Sequence, residues 1–149
     1  MPQTNADLAG VALVEDAPSI GERLKRLFAP ATKTEIERQI VGNGLPALQT
    51  VCAAMLEEGW ANSHVDHVGT GVSLTVGLGA DRTMVYRLKP RSRPLAVYTA
   101  MDAPEGRRRL TWVLAAQTDG DPRFRDLTGF STDQIAGDVL TQLERWRHP

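Results

Sequence analysis

Val72, Leu74, Val76 and Leu78 alternate with Ser73, Thr75 and Gly77, and this period of two narrows the folds open to the chain more than any other feature. Successive side chains of a strand point to opposite faces, so the run predicts a strand with one apolar face turned to a core. Gly79, Ala80 and Asp81 follow as a tight turn. Met84, Tyr86 and Leu88 then alternate against Thr83, Val85 and Arg87. Two alternating runs joined by so short a turn read as a hairpin. The hairpin implies an antiparallel sheet, and its apolar face needs a second layer.

Helical patterns on either side can supply that layer. Ser131 and Gln134 have capping-box spacing, and Phe130 with Ile135 sits at the positions of a hydrophobic staple. Ile135, Val139 and Leu143 then share a face, joined by Leu140 and Trp146. Asp133 at the start and Arg145, Arg147 and His148 at the end suit the helix dipole. Upstream, Thr34 with Glu37, or Thr32 with Glu35, marks the start of another helix whose stripe begins with Ile36 and Ile40. The sequence GNGLP at 42–46 interrupts it, so either one helix kinks or a second begins with Pro46 near its first position. Leu48, Val51, Cys52, Met55 and Leu56 continue the apolar face, and Gly59 suits a C-terminal cap.

Further strands are expected at 62–67, 95–100 and 110–117, with a short extended piece at 124–127. A turn is expected at 118–122 and a polar connection at 102–109. Pro90 and Pro94 read as the frame of a basic loop. Residues 1–17 read as a flexible tail, followed by an amphipathic turn carrying Ile20, Leu24, Leu27 and Phe28 that Pro30 ends. The expectation is a single α+β domain over 18–149: an antiparallel sheet of four to five strands, with N-terminal and C-terminal helices on one face.

Composition narrows function mainly by exclusion. The 149 residues carry a formal net charge of -1, so the chain lacks the strong positive field of nonspecific nucleic-acid binding, and no nucleic-acid partner is expected. One cysteine, Cys52, leaves no disulfide within the chain. The first ten residues do not read as a signal peptide, and no stretch approaches the roughly 18 apolar residues of a membrane helix.

Several residues invite a chemical reading and find a simpler one. His64 and His67 are three apart on a strand and so face opposite ways. Gly69, Gly71, Gly77 and Gly79 lack the strand-glycine-helix order of a nucleotide fingerprint. Cys52 sits among Val51, Ala53, Ala54 and Met55, as a small buried hydrophobe would. Asp119, Asp121 and Asp126 fit a turn better than a calcium loop, and Glu57 and Glu58 fit a solvated helix end. No catalytic, metal or cofactor-binding residue is assigned.

Two basic groups stand out: Arg87, Lys89, Arg91 and Arg93, and the block Arg107, Arg108 and Arg109. Arg91, Arg93, Arg107, Arg108 and Arg109 are the candidate contacts for a partner or an anionic membrane surface. Trp60, Tyr86, Tyr98, Trp112 and Trp146 are the aromatic groups available to a cationic ligand.

The segment IGERLKRLFAPATKTEIERQIVGNGLPAL at 20–48 resembles the start of the cytoplasmic C-terminal domain of choline transporters of the betaine/carnitine/choline family. FRDLTGFSTDQIAGDVLTQLERWRH at 124–148 resembles its end, where a short strand runs through a glycine-aromatic pair into a terminal helix. The matching positions are Asp126, Gly129, Phe130, Ser131, Gln134, Ile135, Asp138, Leu140, Gln142 and Glu144. The resemblance implies a non-catalytic regulatory domain at the cytoplasmic side of the membrane, tuning osmotic-stress uptake. Its implied partner is a transporter or a second copy of itself. The family's membrane helices are not in this sequence, so the expectation is an excised domain or a free-standing relative. The alternative reading is a small-ligand module for a quaternary ammonium compound. An enzyme would need a cleft joining Cys52, a histidine and an acid.

Overall fold

The computed structural model describes residues 31–79, 81–94 and 110–148. The expected tail, the amphipathic turn before Pro30, the 95–100 strand, the connection at 102–109 and, with it, Tyr98, Arg107, Arg108 and Arg109 lie outside the described residues.

Helix α1 spans Lys33–Gln39 and is capped by Thr32, whose hydroxyl accepts from the Glu35 amide while Glu35 reaches back to the Thr32 backbone. Of the two capping registers, the earlier is used. The chain does not break at Pro46. A π-helical turn over Ile40–Gly44 leads straight into α2, Leu45–Glu57, with Pro46 in its first turn. The wider turn changes the hydrogen-bond register, and so lets the continuous helical path pass through Pro46, which has no amide to donate. Gly44 in this turn lies against the sheet: a Cβ there would come within 2.8 Å of the Leu88 Cδ1.

Among the described residues, the five strands β1 (His64–Val68), β2 (Gly71–Gly79), β3 (Arg82–Pro94), β4 (Leu110–Thr118) and β5 (Arg125–Asp126) form one antiparallel sheet in sequence order. The expected hairpin is β2–β3, with Leu74 opposite Tyr86 and Val76 opposite Met84. Gly71 opens β2 where a Cβ would lie 2.5 Å from the Leu88 carbonyl oxygen, so the strands can approach there only around a glycine.

The basic loop expected between Pro90 and Pro94 is strand instead, paired with β4 as far as Pro94 opposite Leu110. The register explains why prolines are tolerated. β2 accompanies β3 only to the Val72–Leu88 pair, so from Lys89 onward β4 is its one strand partner among the described residues. Proline, which has no amide to donate, is accepted on such an edge.

Helix α3, Thr132–Arg147, begins with the expected box of Ser131 and Gln134. The three helices among the described residues pack on one face of the sheet, giving the α+β architecture read from the sequence. Ile36, Ile40, Leu48, Val51 and Met55 from the N-terminal helices meet Val72, Leu74, Val76, Met84, Leu88 and Leu114 from the sheet and Ile135, Val139 and Leu143 from α3. Burying a side chain of this kind contributes about 1.5–3 kcal/mol. Leu140, expected on that stripe, is instead 53% exposed, and Gln142 takes a buried place. One residue beyond Val139, Leu140 is rotated about 100° around the helix. Gln39 and Asn43 donate to the carbonyls of Leu127 and Phe130, tying α1 and the π turn to the start of α3. No helix among the described residues is long and apolar enough to cross a membrane.

Candidate functional site

Three places gather side chains with chemistry. The first lies between β3, β5 and α3. Tyr86 is fully buried on the helix-covered face, and its hydroxyl donates to Asp138 Oδ2 at 2.6 Å. Arg125 donates to both oxygens of the same carboxylate, at 3.0–3.2 Å from Nε and 3.0 Å from Nη2, and Nη2 also reaches Thr118 Oγ1 at 3.0 Å. Burial, then the charge and hydrogen bond of Asp138, push the Tyr86 phenol well above its ordinary pKa, against the opposing pull of Arg125. Burial acts to lower the Arg125 pKa, but the hydrogen bonds and charge of Asp138 outweigh it and the guanidinium pKa is raised. The phenol keeps its proton and the guanidinium its charge, so the trio is a lock rather than a proton-transfer site.

The second place is the sheet face away from the helices. By register, Arg87, Lys89, Arg91 and Arg93 follow one another along it, all exposed. Arg87 pairs with Asp119 at 3.1 Å and Arg93 with Asp126 at 3.3 Å, while Arg91 stacks on Phe124 at 4.4 Å. Both pairing arginines are about half exposed, at 47% and 52%, and pairs of that kind are worth little and weaken in salt. Lys89 and Arg91 meet no carboxylate among the described residues. Opposite them on β4, Ala115 and Val113 are buried.

The third place is the corner where α2 and α3 end. Trp60 and Trp146 lie with ring centroids 5.4 Å apart and planes inclined at 53°. Arg82 stands over both rings and Arg147 over Trp60. The structure therefore brings together two of the aromatic candidates. Tyr86 is sealed in the lock, and Trp112 stands apart with Lys33 5.4 Å from its ring. The sequence reading gives Arg147 only a helix-dipole role and Arg82 none, because the meeting of a hairpin end with two helix ends leaves no local pattern.

Most of the remaining residues have simpler structural roles. His64 lies 3.1 Å from Asp66, and His67 is on the opposite face of β1. Asp121 accepts from the Arg123 amide, and Asp126 from the amide and hydroxyl of Thr128. Glu58 faces Arg147 at 3.6 Å. Cys52 is buried, and that burial raises its thiol pKa, the opposite of what a thiolate nucleophile needs. No group of three or more metal-ligating side chains occurs among the described residues. In comparisons with known proteins, the chain matches no family model and no curated sequence.

Proposed function

We propose that this domain is a non-catalytic regulatory module that docks on a protein partner through the basic row of β3. The observation that carries the reading is the unbroken run of exposed cations at every second position from Arg87 to Arg93, on the side of β3 turned away from the described helices. A strand displays such a row in a fixed plane, and a charged row of this kind speeds and orients the approach of an acidic surface. Charge on a strand carrying Pro90 and Pro94 also discourages pairing with another sheet. The resemblance to the choline-transporter domain supplies the partner: the cytoplasmic face of such a transporter, with salt-sensitive docking as the means of tuning uptake. Arg91 and Arg93 lie in the row, and Arg107, Arg108 and Arg109 are the further cations proposed to contact the partner.

The test is binding of the purified domain to a choline transporter in nanodiscs of neutral lipid, measured at rising ionic strength. Affinity is expected to fall as salt rises, with empty neutral nanodiscs giving no signal. A salt-independent isotherm, or no binding at low salt, contradicts the reading. Binding to empty anionic nanodiscs with equal affinity would replace the transporter by the membrane surface.

A further inference from the structure

Trp60 stands three residues beyond the end of α2 and Trp146 lies in the last turn of α3, so two helices end at one corner. The two indoles are inclined to each other and enclose a V. Arg82, at the start of β3, places its guanidinium carbon 5.4 Å from each ring centroid. Arg147 lies 5.8 Å from the Trp60 centroid. We infer that this V is a cation-binding site occupied from within the chain by Arg82, and that its external ligand class is a quaternary ammonium ion.

Three physical features favour a cation there. Indole faces are the strongest aromatic partners of a cation, and paired faces are how quaternary ammonium groups are recognised. Helix C-termini carry partial negative charge, and two of them converge on this corner. Glu58, capping α2, adds a carboxylate beside Arg147. The occupant is also displaceable. Arg82 is exposed, next to the hairpin turn, and finds ring faces but no carboxylate among the described residues. A guanidinium stacked on rings still has hydrogen-bond donors that water can satisfy. A quaternary ammonium has no such donors, so the V can replace the favourable part of its surroundings. The other aromatic residues do not offer this geometry: Trp112 presents a single ring to Lys33, and Tyr86 is buried. The site lies apart from the basic row and does not depend on the docking reading.

The test uses the full chain in a Trp112→Phe background, so that tryptophan fluorescence reports only on Trp60 and Trp146. Tetramethylammonium is titrated, with choline and its uncharged isostere 3,3-dimethylbutanol alongside. Both cations should give a saturable change and the alcohol none. Arg82→Ala should tighten binding about twofold to fivefold, the worth of an exposed cation over rings released from competition. Trp146→Ala should abolish the response, and Trp146→Phe, which keeps a ring, should weaken it while preserving the fold. The inference is overturned if Arg82→Ala, folded by circular dichroism, binds tetramethylammonium no more tightly than the parent. Equal binding of the alcohol also overturns it, because apolar burial would then suffice.

Discussion

Two arginines in this domain meet aromatic rings in opposite ways. Arg125 lies 5.8 Å from the Tyr86 ring centroid, but a carboxylate holds it in place: Asp138 takes its fork on two oxygens and binds the Tyr86 hydroxyl as well. Arg82 lies over two rings at the edge of the domain, and the described residues give it no carboxylate. The first arrangement is directional, largely shielded and costly to disturb. The second is open to water, and another cation can substitute for it. The same residue type therefore fixes the fold at one place and leaves a site exchangeable at the other. What decides between them is whether the charge is neutralised by a buried partner or only attracted by ring faces.

The contrast breaks most visibly at Asp138. Asp138→Ala leaves a partly buried guanidinium and a fully buried phenol without their shared acceptor. It should cost about 3 kcal/mol, the lower end for breaking a buried pair because Arg125 keeps some exposure. Urea unfolding followed by circular dichroism measures this, and a loss below 1 kcal/mol would mean that water replaces Asp138 without penalty.

Tyr86→Phe keeps the ring and removes only the donor, so the expected loss is about 1–2 kcal/mol. It should also change the alkaline limb of stability. The folded-state pKa of Tyr86 is raised above the ordinary value of about 10, so the unfolded chain releases this proton first. Stability from this group is whole below about pH 10 and is lost as pH rises toward the folded value. The phenylalanine variant should therefore lose less stability than the parent above that pH. The smallest effect belongs to Arg82→Ala, where an exposed cation over rings is worth about 0.5–1 kcal/mol. A thermal midpoint shifted as far as in Asp138→Ala would erase the contrast.

Much of the fold was legible because its signals are local. Ser131 with Gln134 and Thr32 with Glu35 mark their helix starts, and the alternation from Val72 to Leu88 marks the hairpin, all within a few residues of chain. The length of β3 was not legible. Pro90 and Pro94 argue against a strand until the register shows that the pairing of β2 with β3 stops at the Val72–Leu88 pair. The lock had one sequence hint: Asp138 stands three residues after Ile135, near the apolar stripe of α3, where a carboxylate calls for a cation. Which cation could not be read, since Arg125 reaches it only through the turn at Gly129 and the packing of α3 against β3 and the N-terminal helices. The aromatic corner was half legible, since both tryptophans fall at helix ends, but their meeting with Arg82 is set by how the layers stack.

The proposed role depends on the basic row, and Lys89 and Arg91 are the cations there that no described carboxylate neutralises. Its most direct test is the affinity of the Lys89→Glu, Arg91→Glu variant for the choline transporter in neutral nanodiscs, measured against the parent at low salt. Both substitutions lie on exposed positions, so the fold should persist. The account expects affinity to fall at least tenfold and the remaining binding to lose most of its salt dependence. An unchanged isotherm from the folded variant would contradict it.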